Sequence, residues 1–501
     1  MTGLGPGDVQ ADRRTSPGDE EALGPRSPSD RILSAPLAVT LFRFGAPLAL
    51  GMGLQTTFNL VDAYLISRLD PEVAGPSLGA IGICDQIAAV GSIVSYGIST
   101  ATAALVAQHE GRGDRDAARR VAWQSMMMVA LWSAIFGAIG IGGAEFVVRD
   151  LVGAKGQVAE LGTRYLRVIL GGSFSIFFLL QVTTIQRALG SSKTPVAMLL
   201  LSNVLNLVLA VLLVYGPGDA PPVFAWGPPV ARALHLPRME VIGAAWATIL
   251  ARTVTLVPLW VVVGHRFGLF RRGAFGKWNP RTAGEIFAIA WPSSTQLVVR
   301  ILAMLSVHAL VARAFTTEAD QSATTALGIV FRLETMALFV GLGWGSAAQT
   351  FVGQNLGARN EKRAVESGWT AALYNFGAMT LLMLAYRSFG SPVVRFFDED
   401  PRVVDVALGY LSVVAPSYLP LGVGIVLGSA MTGAGATRTT MLIDLGVVLA
   451  FELPLALAAV WLESPSPARL WLVVAATNLV GAIVYVVNYR RGAYLRRAAL
   501  G

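Results

Sequence analysis

Only one cysteine, Cys84, occurs in the chain, which removes an internal disulfide and any cysteine-based metal cluster from consideration. It reads as a small apolar residue in a helix. The four histidines, His109, His235, His265 and His308, are scattered and never take the His-x-x-x-His or His-Glu-x-x-His spacing of a metallo-hydrolase. Only His308 is well inside an apolar run, where a hydrogen-bonded core histidine is the expected role. No Walker-type phosphate loop is present, so ATP does not power the protein directly. An intramembrane enzyme therefore lacks its machinery. Charge is scarce as well: 14% of residues are charged, against roughly 25% in a soluble domain, and a water-soluble fold does not fit that balance.

The first 35 residues lack the opposite thing, apolar content. They are rich in Pro, Gly, Asp, Glu and Arg and cannot bury enough surface to fold alone, so residues 1–35 are expected to form a disordered cytoplasmic tail. No short apolar core with a small-residue cleavage site occurs there, and the first span, opening near Ala38, is expected to do the targeting.

What remains is apolar: hydrophobic residues make up 54% of the chain. A bilayer-spanning helix needs about 20 predominantly apolar residues, and about twelve such stretches occur, near 38–66, 77–107, 121–145, 163–189, 195–216, 240–264, 283–314, 324–354, 367–387, 403–432, 437–462 and 468–489. None shows the alternation of a barrel strand. The expected class is an all-α polytopic membrane protein.

The chain also repeats itself. Val106-Ala-Gln108, Gly111 and Ala118 recur as Val352-Gly-Gln354, Gly357 and Ala364, 246 positions later (352 − 106). Phe42 and Pro47 answer to Phe287 and Pro292, and Gly190, Lys193 and Thr194 to Gly435, Arg438 and Thr439, at an offset of 245 (435 − 190). Three matches in register imply two pseudo-symmetric six-helix lobes, at 36–264 and 283–490, joined by a cytoplasmic linker at 265–282. Two near-equivalent bundles that rock about a central site are the usual architecture of a transporter.

A net charge of +8 raises the question of nucleic acid, but the basic residues fall in alternate loops, so no nucleic-acid partner is expected. Arg112, Arg115, Arg119 and Arg120 follow the second span; Arg266, Arg271, Arg272, Lys277 and Arg281 follow the sixth; Arg359, Lys362 and Arg363 follow the eighth. Arg490, Arg491, Arg496 and Arg497 close the chain, the last three in a basic tail at 491–501. The positive-inside rule puts these loops and both termini in the cytoplasm.

Taken together, Pro47, Gln55, Asn59 and Asp62, the Val-Ala-Gln-x-x-Gly loop, Gly190 to Pro195, Asn203-x-x-Asn206, Gly243-Ala-Ala-x-Ala-Thr248 and Val352-Gly-Gln-Asn-Leu-Gly-Ala358 resemble the multidrug and toxic compound extrusion (MATE) family over roughly residues 38–490. The resemblance implies two six-helix lobes, a substrate cavity between or within them, and export of small organic, amphipathic and cationic compounds in exchange for protons or sodium. It further implies a monomer in the bacterial cytoplasmic membrane, in contact with lipid, with no cofactor besides the coupling ion. The Asp62 position matches the first-span aspartate that the family uses for cation coupling. A rival within the wider superfamily is a flippase for a lipid-linked oligosaccharide or other anionic lipid, which Arg252 and Arg300 would suit because guanidinium binds phosphate bidentately.

The residues support a site at Asp62 independently. A carboxylate in a spanning helix costs on the order of 2.5–3.5 kcal/mol and usually marks an ion or substrate path, and Asn59 shares its helical face. The competing role is a carboxylate solvated near the external interface, close to Arg68 and Asp70. Asn203 and Asn206 share a face of the fifth span and suit either a sodium ion at Asp62, the one metal site expected, or interhelical hydrogen bonding. Where the family pattern often has an aspartate four residues after the second Asn, this chain has Ala210, so a two-aspartate relay does not carry over.

Further charges stand in apolar runs: Arg252, Arg300, Arg332, Glu334, Asp444 and Glu452. Some relatives carry a glutamate where this chain has Arg300. Asp444 and Glu452, eight apart, are expected on roughly one face. The expected pairs are Arg300 with Glu334 or Glu452, and Arg252 with Asp62 or substrate; structural ion pairs are the alternative. A cation cargo would use Phe58, Tyr64 and Trp291 as aromatic faces. The loops at Gly111–Ala118 and Gly357–Ala364 are expected to serve orientation and lobe movement. Pro47, Pro292 and Pro454 remove backbone hydrogen bonds within spans, giving either mobile or static bends.

Overall fold

The computed structural model describes residues 28–266, 268, 278–317, 320–461 and 466–495, without the side chains of residues 56–60, 63, 71 and 266. Every element among them is helical. A short α1 (Pro28–Ser34) precedes α2 (Leu37–Ser67), α3 (Pro71–Gly111) and α4 (Arg115–Glu145), which runs on as a π-helical turn, Phe146–Leu151. The fourth span is the pair α5 (Gly156–Gly171) and α6 (Ser173–Ala188), followed by α7 (Lys193–Tyr215), a short α8 (Gly227–Ala233) and α9 (Glu240–Arg266).

The second half mirrors this order. It comprises α10 (Pro280–Phe315), α11 (Ser322–Gly357), α12 (Glu361–Phe397), the pair α13 (Pro401–Val414) and α14 (Tyr418–Gly433), then α15 (Thr437–Val447), a π-helical turn at Val448–Glu452, α16 (Leu453–Trp461) and α17 (Pro467–Arg491). These make twelve spans. Eleven are long and apolar enough by length and composition to cross a bilayer. The other, α12, is long enough but carries Asn375 buried at its middle and a charged first turn.

The duplication is legible in backbone detail. Asp114 caps α4 by accepting from the Ala117 N–H at 2.9 Å, and Asn360 caps α12 by accepting from the Arg363 N–H at 3.1 Å, at an offset of 246 (360 − 114). Both caps satisfy a first-turn donor that has no intrahelical partner. Gly190 and Gly435 end their helices with φ of +85° each, a conformation glycine adopts without a β-carbon clash.

The lobes are not divided cleanly at the linker. Leu41, Phe44, Leu48 and Ala49 of α2 belong to a core with Trp344, Phe351 and Val426 of the second half, while Ile286, Ile289 and Ala290 of α10 belong to the first-half core with Val106 and Phe136. Each half thus lends the start of its first helix to the other. Small residues permit the crossings: a β-carbon on Gly343 would overlap the Ala49 backbone, and one on Gly97 would overlap Ser294.

The expected tail at 1–35 needs correction. Residues 1–27 lie outside the described residues, but α1 is ordered and packed, with Ile32 only 2% exposed. The reason is the guanidinium of Arg363, which donates to the carbonyls of Ile32 and Ala35 and so satisfies the end of α1, while Ser29 donates to Glu110 at 2.8 Å. The end of the chain folds back similarly, Tyr494 stacking on Tyr489 at 4.7 Å. Arg496 and Arg497 lie outside the described residues, as do Arg271, Arg272 and Lys277 of the linker.

Candidate functional site

In the first half, Asp62 is held by α7. The amide nitrogen of Asn206 donates to both carboxylate oxygens at 3.0 Å, and Thr248 of α9 donates to the Asn206 carbonyl oxygen at 3.1 Å. The hydroxyl fixes which way the amide faces. A carboxylate held by one neutral amide keeps lone pairs for a cation. Asn203 and Gln55 make no side-chain hydrogen bond to described residues, so they are not brought to Asp62. The side chain of Asn59 lies outside the described residues.

Arg252 does not form the expected ion pair with Asp62. It stands within electrostatic range of Asp62, Asp85 and Tyr165 without a salt bridge among the described residues. Asp85 of α3 is the residue that sequence reading missed: it is exposed and within electrostatic range of Asp62 and Arg252. It was findable, being an acid inside the apolar run 77–107.

In the second half the pairing differs from expectation. Arg300 donates through Nε to Asp444 Oδ2 at 2.6 Å, not to Glu334 or Glu452. Gln296 donates to the same oxygen at 2.8 Å and the Tyr485 hydroxyl to Asp444 Oδ1 at 2.6 Å. Asp444 therefore accepts three hydrogen bonds, one of them from a guanidinium, and is not a free acid. Glu334 accepts from the Tyr410 hydroxyl at 2.6 Å, and Glu452 is 8% exposed with no ion pair among the described residues. Between Asp444 and Glu452 the helix passes into a π-helical turn at Val448–Glu452. Pro454 supplies the cause: it has no N–H for the carbonyl four residues back.

The aromatic faces expected for a cation cargo are occupied: Arg68 lies over Tyr64 at 5.1 Å and Arg438 over Trp291 at 6.0 Å. The side chain of Phe58 lies outside the described residues. Arg332 lies over Phe397 at 5.8 Å. His308 bonds the Met304 carbonyl at 3.0 Å and Cys84 is fully buried against Gly162, both structural roles as expected. A groove of about 600 Å³ between α14, α15 and α17 is lined by none of the charged residues named above.

Between the halves, the repeated loops meet. Gln108 donates to the Gly433 carbonyl at 2.9 Å and Gln354 to the Ala188 carbonyl at 2.8 Å, each amide 1% exposed or less. A β-carbon on Gly111 would overlap the Gln354 carbonyl, and one on Gly357 the Gln108 carbonyl. Two duplicated motifs thus hold the halves against each other at this end.

A family model described as MatE matches residues 47–212 and 298–457. The chain is 26% identical to the FAD transporter of Shewanella oneidensis, covering 90% of this chain and 94% of that one. It is 22% identical to the probable multidrug resistance protein NorM of Thermotoga maritima, over 89% and 91%, and 23% identical to the multidrug resistance protein PmpM of Pseudomonas aeruginosa, over 90% and 91%. Among solved structures it resembles a MATE in complex with MaL6, at a TM-score of 0.82 and 20% identity over 95% and 100% of the two chains. It also resembles the outward-facing conformation of a multidrug resistance MATE family transporter, at 0.80 and 21% over 93% and 98%.

Proposed function

Because this chain belongs to the MatE family of multi-pass membrane transporters, which are not enzymes, we propose that it is a secondary antiporter exporting amphipathic organic compounds in exchange for protons or sodium. The observation that carries this reading is Asp62 in its spanning helix, bound by the Asn206 amide with Asp85 and Arg252 in range. A carboxylate in that place takes a cation on one side and releases it on the other.

Driving force is sufficient. One charge crossing 100 mV contributes about 2.3 kcal/mol and each tenfold ion gradient about 1.4 kcal/mol. The exposed Asp85 favours a cationic cargo. The protein acts as a monomer in the bacterial cytoplasmic membrane with both termini inside. The face closed by Gln108 and Gln354 is then the cytoplasmic one, and the cleft opens outward.

A second reading, an anionic cargo such as a lipid-linked phosphate, has its own support. The Arg300 side chain is 38% exposed, which leaves its guanidinium within reach of a ligand. Arg187, beside the closed face, is buried with its Nε unpartnered among the described residues, and one relative is named an FAD transporter.

The test is efflux of a fluorescent organic cation from proteoliposomes under an imposed pH or sodium gradient. Efflux driven by one gradient and lost in Asp62→Asn supports the antiporter. No movement of the dye by folded protein under either gradient overturns the cationic reading and leaves the anionic one.

A further inference from the structure

The groove of about 600 Å³ between α14, α15 and α17 lies where two spans diverge. On the side facing Arg300 they are tied, the Tyr485 hydroxyl of α17 donating to Asp444 of α15 at 2.6 Å. On the other side they stand apart. A β-carbon on Gly446 of α15 would meet nothing within 4 Å, and one on Gly481 of α17 only Val447, at 3.9 Å. Ile443 and Val447 form one wall of the groove and Val480 and Val484 the other.

This space opens to the surface that faces lipid. Leu442, which lines it, is 60% exposed, and Ile483 and Val487 are exposed beside it. An apolar slot does not hold water, and an unfilled wall forfeits its dispersion contacts, so hydrocarbon is its natural filling. The length fits one chain of one leaflet. From Thr439 at one end to Phe451 at the other is twelve residues (451 − 439), about 18 Å at 1.5 Å per residue. Half of a hydrocarbon core about 30 Å thick is about 15 Å.

The end at Thr439 is polar and basic. Asn488 lines it, its amide donating to the Val484 carbonyl at 2.8 Å. Ala493 and Tyr494 form its lip, turned back by Gly492 at a φ of +67°. Arg491 comes three residues after Asn488 and so shares its face of α17; it is exposed, with no ion pair among the described residues. Arg438, exposed in the first turn of α15 next to Thr439, adds a second positive charge, and no acid stands in that turn. Basic residues at this depth attract anionic head groups.

We propose that the groove binds an anionic glycerophospholipid of the cytoplasmic leaflet, with one acyl chain between α15 and α17 and the phosphate at Arg491. The chain completes the packing of α15, which carries Asp444, on the side the protein leaves open. The leaflet rests on the orientation proposed above. An inverted chain would move the site to the other leaflet and leave binding in detergent unchanged.

The test counts bound lipid and needs no cargo. Purified full-length protein, stripped of lipid in detergent, is given phosphatidylglycerol or phosphatidylcholine with the same acyl chains, and lipid per chain is read by native mass spectrometry. The native protein is expected to retain one phosphatidylglycerol at a concentration about fivefold below that needed for phosphatidylcholine. Arg491→Gln should abolish the preference and keep the neutral lipid. Gly446→Leu, whose side chain fills the open space, should lower retention of both lipids about tenfold or more. Val480→Phe fills the same space from the facing helix and carries the test should Gly446→Leu not fold. Glycerol phosphate, a head group without chains, is expected not to displace the lipid. Displacement by it, or by the fluorescent organic cation, assigns the groove to free phosphate or to cargo and overturns the proposal. Equal retention of the two lipids by the native protein, a preference that survives Arg491→Gln, or unchanged retention in the folded filled variants does the same.

Discussion

Gln108 and Gln354, equivalent residues of the two halves, each donate to a helix-end carbonyl of the opposite half, at 2.9 and 2.8 Å. The contact is reciprocal, so neither half can move away from the other on this face without breaking both bonds.

A buried hydrogen bond contributes about 1 kcal/mol, and an orphaned buried partner costs about 1–3 kcal/mol. Gln108→Ala with Gln354→Ala is therefore expected to shift the closed-to-open ratio of this face by roughly tenfold or more. Faster amide hydrogen exchange at the ends of α3 and α11 is the expected signal. Gly357→Ala should act more severely, because its methyl group would overlap the Gln108 backbone.

At the first-half pocket, Thr248 sets the orientation of the Asn206 amide. Thr248→Val is expected to slow gradient-driven dye efflux several-fold, and Asn206→Ala to slow it further by removing both bonds to Asp62. Equal rates for the two variants and the native protein would show that the amide does not position the acid.

The Arg300 and Asp444 pair is expected to be structural in its energetics. Asp444→Ala leaves a cation stranded beside Tyr485, a change that costs about 3–5 kcal/mol for a fully buried pair. The Arg300 side chain is 38% exposed, so a loss at or below the low end of that range is expected. The double variant Arg300→Gln, Asp444→Asn should recover part of the loss, read as a higher thermal midpoint in detergent.

Arg359 has φ of +60° where the first half has Gly113 at +79°. The left-handed conformation costs a non-glycine residue about 1–2 kcal/mol, offset by the greater freedom glycine loses on folding, about 0.5–1 kcal/mol. Arg359→Gly is expected to stabilise the protein by at most about 1 kcal/mol, with a raised thermal midpoint as the check.

Twelve spans and their duplication were readable because a bilayer demands long apolar runs and because the repeated Gly and Gln residues stand at a fixed offset. Asp62, Asn203 and Asn206 were readable as candidates because acids and amides in apolar helices have few other uses, but which of the two amides holds the acid was not. The partner of Arg300 was not, since three acids in the second half are equally compatible with it until the helices are placed. The π-helical turn before Pro454 was likewise not legible, because a change of helical pitch leaves no mark in the spacing of apolar residues. Tyr165 and Tyr410 carried no signal of their own, because a tyrosine in a helix reads as core. Asp85 did carry one, as an acid in an apolar run.

Obligatory exchange at Asp62 is the central claim, and the most direct measurement runs the antiporter backwards. Proteoliposomes loaded with protein and given a steep gradient of the fluorescent cation, with no ion gradient, are monitored for movement of protons and of sodium against the dye. The account predicts uphill movement of one of these ions in the native protein and none in Asp62→Asn. Dye that crosses equally well in both proteins while neither ion moves would contradict it.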